Sequence, residues 1–156
     1  MPRAWRLVKA RHTARAFDGE GARLHGGRWN SPGTRVVYVS SSRSLAALEL
    51  LVHLELAEAL DHYAVIEVRI PAQAITRLDR RRLPADWRDD RPPAALRALG
   101  DTWVQQQRSV ALEVPSVVVP EETNYLLNPA HPSFRTLAIG PARPFRYDAR
   151  LVRRDR

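Results

Sequence analysis

Four side chains stand where ordinary packing does not explain them. Ser41 and Ser42 are N-cap candidates for a helix predicted to run to about Leu60, with Leu45, Leu48, Val52, Leu56 and Leu60 on one stripe. At about 100° per residue, Glu49 falls on that stripe between Leu56 and Leu60, while Glu55 and Glu58 turn toward the other side. An ionised carboxylate buried without partners costs several kcal/mol, so the fold must supply a cation, hydrogen-bond donors or a wet cleft there. Periodicity alone leaves three readings of Glu49 open: a structural ion pair, a partly exposed helix edge, or an active site.

Tyr38 lies one strand earlier, where a short Ser-rich turn into the helix brings its ring toward Glu49; an aromatic residue packing in a sheet is the plainer reading. Arg28 follows Gly26 and Gly27, which permit a sharp turn or a close backbone approach, and its planar fork suits phosphate or carboxylate. Ser116 sits on apolar ground between Pro115 and Val117, where a hydroxyl has no packing purpose unless it hydrogen-bonds.

Other chemistries fit poorly. The histidines at 12, 25, 53, 62 and 131 have no metal-ligand spacing, and no zinc is expected. Glycine patterns for a Rossmann turn or phosphate loop are missing, as is a Gly-x-Ser-x-Gly elbow. The arginines at 77 and 80–82, and the tail at 150, 153, 154 and 156, lack the interleaved aromatics of a stacking platform and read as solvated faces.

The elements that must position these residues follow from the pattern. Strands are predicted at Ala4–Ala10, Arg35–Ser40 and Tyr63–Ile70, with Tyr38 and Val36 on one face of the second and Val37 and Val39 on the other. A loop rich in Gly and Arg reaches to Pro32, and a helix opens after Pro92 and Pro93 and runs from Ala94 to Gln107. Val114–Val119 reads as a short strand, Glu121–Pro132 as an ordered loop, and Phe134–Ile139 and Phe145–Val152 as the last strands.

A chain of 156 residues with 44% apolar content supports one domain with its own core. No run of about 18 apolar residues occurs, so neither a membrane span nor a signal segment is expected and a cytoplasmic protein is. With no cysteine, disulfides, thiolate metal sites and cysteine nucleophiles are excluded. The formal charge of +8 suits nucleic acid, an anionic small molecule or an acidic protein equally, and cannot choose among them.

Taken together, Gly-Gly-Arg-Trp-Asn-Ser-Pro-Gly at 26–33, Val-Val-Tyr-Val-Ser at 36–40, Leu-Glu-Leu at 48–50 and Val-Pro-Ser at 114–116 resemble the RES-domain toxins. That family is named for an arginine, a glutamate and a serine, matched here by Arg28, Glu49 and Ser116, with Tyr38 as the accompanying aromatic. Asn-Tyr-Leu-Leu-Asn-Pro-Ala-His-Pro-Ser-Phe at 124–134 is similar to the family's C-terminal segment, so the likeness spans nearly the whole chain.

The resemblance implies an α+β fold related to ADP-ribosyltransferases, with a mixed or antiparallel split sheet, flanking helices, and a single domain over residues 1–156. It implies a toxin encoded beside an Xre-like antitoxin that blocks the active site. NAD⁺ is the implied substrate, with no prosthetic group, and inorganic phosphate is one acceptor beside water. Arg28, Tyr38, Glu49 and Ser116 are the implied catalytic set, and Gly27, Arg28, Trp29, Asn30, Tyr38, Ser116 and Asn124 the implied contacts to NAD⁺. Two alternatives make different predictions: a protein mono-ADP-ribosyltransferase yields labelled protein, and a basic nucleic-acid-binding module yields salt-steep binding that survives Glu49→Gln. Direct nucleic-acid binding is not expected, and self-association is left open.

Overall fold

The computed structural model describes residues 1–152; Arg153, Arg154 and Arg156 of the basic tail lie outside the described residues. In chain order the elements are β1 (Arg3–Lys9), α1 (Glu20–His25), β2 (Val37–Ser40), α2 (Arg43–Leu51), α3 (Leu56–Ala59), β3 (Tyr63–Arg69), β4 (Ile75–Arg77), α4 (Ala94–Gln106), β5 (Ala111–Pro115), β6 (Thr123–Leu127), β7 (Ala138–Ile139) and β8 (Arg143–Phe145). The strands form one hydrogen-bonded sheet in the order β4-β5-β6-β2-β1-β3-β7, with β8 also paired to β3. β4 runs parallel to β5 and the other pairings are antiparallel, which gives the α+β class with a mixed sheet.

Alternation along the strands divides the interior. Ala4, Val37, Val39, Val68, Tyr125 and Leu127 build a core on one face. On the other, Leu112, Val114 and Leu126 receive Leu96 and Trp103 of α4, while Leu7 and Tyr63 receive Ala46 of α2. Each fully buried Leu or Val removed from water contributes roughly 1.5–3 kcal/mol, enough to fix both helices on the same face. Tyr38 and Ser40 point to that face, between the two helices. α4 presses closest at Gly100, where an added Cβ would come within 1.7 Å of the Trp29 carbonyl oxygen; only glycine allows the helix to seat against the Arg28 loop.

Several expected boundaries move. Ser42 is the N-cap, its hydroxyl accepting from the Leu45 N–H at 3.0 Å, but α2 stops at Leu51 instead of continuing to Leu60. The predicted stripe is therefore broken: Leu45 is buried, whereas Leu48, Val52, Leu56 and Leu60 are exposed, and Ala46, Leu50, Leu51 and Leu54 make the packing contact instead. Glu121–Pro132, expected as a loop, contains β6, a strand buried from Asn124 to Leu127. The strand expected over Val114–Val119 lies earlier, ending at Pro115. Only Ala138–Ile139 of the next predicted strand pairs, since Pro132–Thr136 turns as a short helix. The last strand is Arg143–Phe145, and Ala149–Val152 is helical.

Candidate active site

Strand register assembles the first part of the site. Ser40 of β2 faces Asn124 of β6, and Asn124 faces Val114 of β5, two residues before Ser116. α2 then lays Glu49, one turn beyond the buried Leu45, over this row. Glu49 Oε1 accepts two hydrogen bonds, from the Ser116 hydroxyl and from the Asn124 amide, each at 2.6 Å. The Asn124 carbonyl accepts from the Ser40 hydroxyl at 2.7 Å, which fixes the orientation of the amide. Ser116 Oγ in turn accepts the backbone N–H groups of Val118 and Val119 at 3.1 and 3.0 Å, so its own proton is directed to the carboxylate.

This is a one-way chain of donors ending on one carboxylate oxygen. Ser116 is fully buried, Asn124 and Ser40 nearly so, and Glu49 half-buried. Two short donors on one oxygen hold the carboxylate's geometry. Glu49 Oε2 accepts no hydrogen bond among the described residues. One oxygen is anchored and the other is open among the described residues.

The second part is the loop carrying Arg28. Asn30 is fully buried; its amide donates to the carbonyls of Ala22, Ser31 and Thr34 at 2.9, 3.2 and 3.0 Å, and its carbonyl accepts from the Tyr38 hydroxyl at 2.6 Å. The Trp29 N–H donates to the same hydroxyl at 3.2 Å. A Cβ on Gly27 would lie 2.6 Å from that hydroxyl, so glycine there is a condition of the Tyr38–Asn30 bond. Arg6, whose guanidinium is pushed down to about 10 by burial, with Asp18 opposing, donates to the Tyr38 carbonyl at 3.0 Å and steadies β2 from β1. Trp29 and Asn30, expected as ligand contacts, thus have their surfaces inside the protein, and the Tyr38 hydroxyl is spent on the loop.

Burial raises the Tyr38 phenol well above its ordinary value of 10.0, against the opposing bond from the Trp29 N–H. The raised pKa belongs to the folded state, so its contribution to stability is complete below about pH 10 and is lost as pH climbs beyond it, because the unfolded phenol ionises first. Tyr38→Phe should cost roughly 1–3 kcal/mol at neutral pH by orphaning Asn30 and the Trp29 N–H. It should also flatten the alkaline loss of stability. Urea unfolding on either side of about pH 10 measures both effects.

Arg28 itself is half-buried, and its Nη1 donates to the carbonyl oxygens of Trp87 and Asp89 at 3.0 and 2.7 Å. Burial lowers its pKa, while Glu49, Asp90 and Asp89 pull it back up. Arg28 and Glu49 therefore feel one another as opposite charges without an ion pair between them among the described residues. Sequence reasoning missed Ser40, Arg6, and the carbonyls of Trp87 and Asp89; backbone acceptors leave no sequence signal, and Ser40 reads as a strand-ending turn residue. A cavity of about 370 Å³ beside Trp5, Arg43 and Arg143 lies at the outer edge of β3 and shares no lining residue with this site. No helix among the described residues is long and apolar enough to cross a membrane.

Comparison with known proteins places the chain in a family. Residues 3–148 match the RES domain family model. The chain is 39% identical over 149 residues to a protein named Toxin Res from Yersinia enterocolitica, covering 94% of this chain and 97% of that one. It is 39% identical over 157 residues to the Prs ADP-ribosylating toxin of a Sphingobium species, covering 96% of each. The chain belongs to the RES-domain toxin family. Its fold is that of a chain in the crystal structure of the M. tuberculosis MbcT–MbcA toxin–antitoxin complex, at a TM-score of 0.76 and 18% identity over 92% of this chain and 84% of that one.

Proposed function

We propose that this RES-domain protein is a toxin that consumes NAD⁺ by breaking the bond between nicotinamide and ribose. The observation that carries the reading is the two-pole site: among the described residues, a carboxylate with one anchored and one open oxygen, and a guanidinium with an unoccupied edge. NAD⁺ has the matching charges, a cationic nicotinamide riboside and an anionic diphosphate.

As the C–N bond breaks, its electron pair leaves with nicotinamide, which departs neutral, and positive charge grows on the ribose ring. An ionised Glu49 beside that ring stabilises the developing cation and holds a ribose hydroxyl through Oε2. Arg28 grips phosphate. Tyr38 presents its ring, since its hydroxyl is committed to Asn30 and Trp29. Ser116 and Asn124 act through Glu49, keeping it aimed; Gly27, Trp29 and Asn30 hold the loop that aims Arg28. The acceptor's oxygen then bonds to the ribose carbon; where the acceptor is water, its surplus proton passes to solvent, and an anionic phosphate oxygen has none to lose.

Incubating the pure protein with NAD⁺, with and without phosphate, and identifying every product by mass tests the reading. Free nicotinamide with ADP-ribose identifies water as acceptor, and a phosphorylated ADP-ribose identifies phosphate. The ADP-ribosylating relative favours a second reading, transfer to a protein side chain, which leaves label on protein instead of in soluble product. Unchanged NAD⁺ in all arms would sink both. The toxin–antitoxin neighbour supports an antitoxin as the partner that silences the site, and co-expression with a cognate antitoxin should abolish NAD⁺ loss.

A further inference from the structure

The segment between Leu83 and Pro93 belongs to no strand or α-helix, yet it touches both halves of the site. Its anchor is Trp87, half-buried against the cluster of Leu78, Leu96 and Trp103. Two successive turns, closed by Trp87 N–H to Pro84 O at 3.1 Å and Asp89 N–H to Asp86 O at 3.0 Å, set the carbonyls of Trp87 and Asp89 against Arg28 Nη1. Between them, the exposed Arg88 donates from Nη2 to the Val117 carbonyl at 3.3 Å. Val117 lies in the turn whose N–H groups hold Ser116.

The donor count on Arg28 decides what remains. Nη1 carries two hydrogens, and two carbonyls lie within reach of it. The other donors, Nε and Nη2, share the opposite edge of the rigid plane and have no hydrogen-bond partner among the described residues. That edge matches two oxygens of one phosphate, each bond being charge-assisted. Free in solution, an arginine side chain could approach an anion end-on or side-on from many rotamers. Here only the side-on edge is offered.

We infer that residues 84–91 form a specificity strap, in which Trp87 is a positioning residue that locks Arg28 side-on toward a phosphate. Arg88 ties the strap to the Ser116 turn, so the phosphate grip and the carboxylate keep a fixed spacing. The inference rests on the NAD⁺ reading above, and it adds the diphosphate end as the part of the substrate measured by the loop. A substrate lacking two adjacent acceptor oxygens at that distance gains nothing from Arg28. Binding energy from the diphosphate is thereby used to place the ribose carbon against Glu49.

Steady-state kinetics of Trp87→Ala, Trp87→Phe and Arg88→Ala, with ADP-ribose and nicotinamide as separate inhibitors, test the strap. Trp87→Ala should raise KM for NAD⁺ about 10- to 100-fold with kcat changed several-fold less, and weaken inhibition by ADP-ribose in parallel. Inhibition by nicotinamide, which carries no phosphate, should stay within about twofold. Trp87→Phe, which keeps an aromatic anchor, should recover most of the loss. Arg88 is exposed, so Arg88→Ala should fold normally and raise KM by a smaller factor, about threefold. The strap is overturned if kcat falls with KM unchanged, if both inhibitors weaken together, or if neither the Trp87 nor the Arg88 variant moves KM. Wild-type protein that consumes no NAD⁺ overturns the functional reading beneath it, a distinct result seen before any variant is made.

Discussion

Glu49→Gln should leave the protein folded while slowing NAD⁺ consumption on the order of a thousandfold, equivalent to about 4 kcal/mol of transition-state stabilisation. Glutamine keeps the side chain's length and can still accept from Ser116 and Asn124 through its carbonyl oxygen, so the donor chain that begins at Ser40 survives. What it lacks is the negative charge that answers the cation growing on ribose. Glu49→Ala separates the two roles, because it also orphans the buried Ser116 hydroxyl and the Asn124 amide. Leaving those donors unpaired should cost roughly 1–3 kcal/mol of stability on top of the lost activity. Thermal melts alongside product release distinguish the pair: Gln inactive with an unchanged melting point, Ala inactive and less stable. Full turnover in a folded Glu49→Gln protein would falsify the mechanism.

Helical periodicity singles out Glu49 in the sequence, but the stripe it rests on is not the one that forms. The predicted leucine stripe does not exist beyond Leu45, since the helix ends at Leu51 and Leu48, Val52, Leu56 and Leu60 face outward. Glu49 is out of place because of what the sheet brings beneath it. Ser116 and Asn124 lie 67 and 75 residues away in sequence, and helical periodicity carries no trace of either. Asn124 also concealed its own strand: a segment opening on Asn124 and closing on Asn128 and Pro129 reads as a loop, although β6 is buried along almost its whole length. Its polar ends are satisfied by specific partners, which composition cannot see. Elements with strong local signals, β1, β3 and α4, were legible to within a residue or two of their ends. The loop motif at 26–33 was legible as a unit, but its division of labour was not. Trp29 and Asn30 support from inside, and Arg28 alone of the three reaches outward.

That division makes Arg28 the second residue on which the proposed function turns. Arg28→Lys keeps the charge and loses the plane, and it should raise KM for NAD⁺ about 30- to 100-fold with a smaller fall in kcat. A lysine ammonium cannot span the Trp87 and Asp89 carbonyls while offering two parallel donors to phosphate, and each charge-assisted bond lost is worth roughly 1.5–3 kcal/mol. Arg28→Ala should go further only by the remaining point charge. Both variants should fold, because the Asp89 carbonyl they abandon is exposed and the Trp87 carbonyl only part-buried, so water can replace the guanidinium. Near-wild-type KM in Arg28→Lys would mean that the site needs charge but no fork, and that the ordered edge has no part in recognition. Combining Arg28→Lys with Glu49→Gln asks whether the two poles act on different ends of one substrate. If they do, their effects on kcat/KM add in free energy apart from the modest field each exerts on the other; if both served one contact, the second substitution would add little to the first.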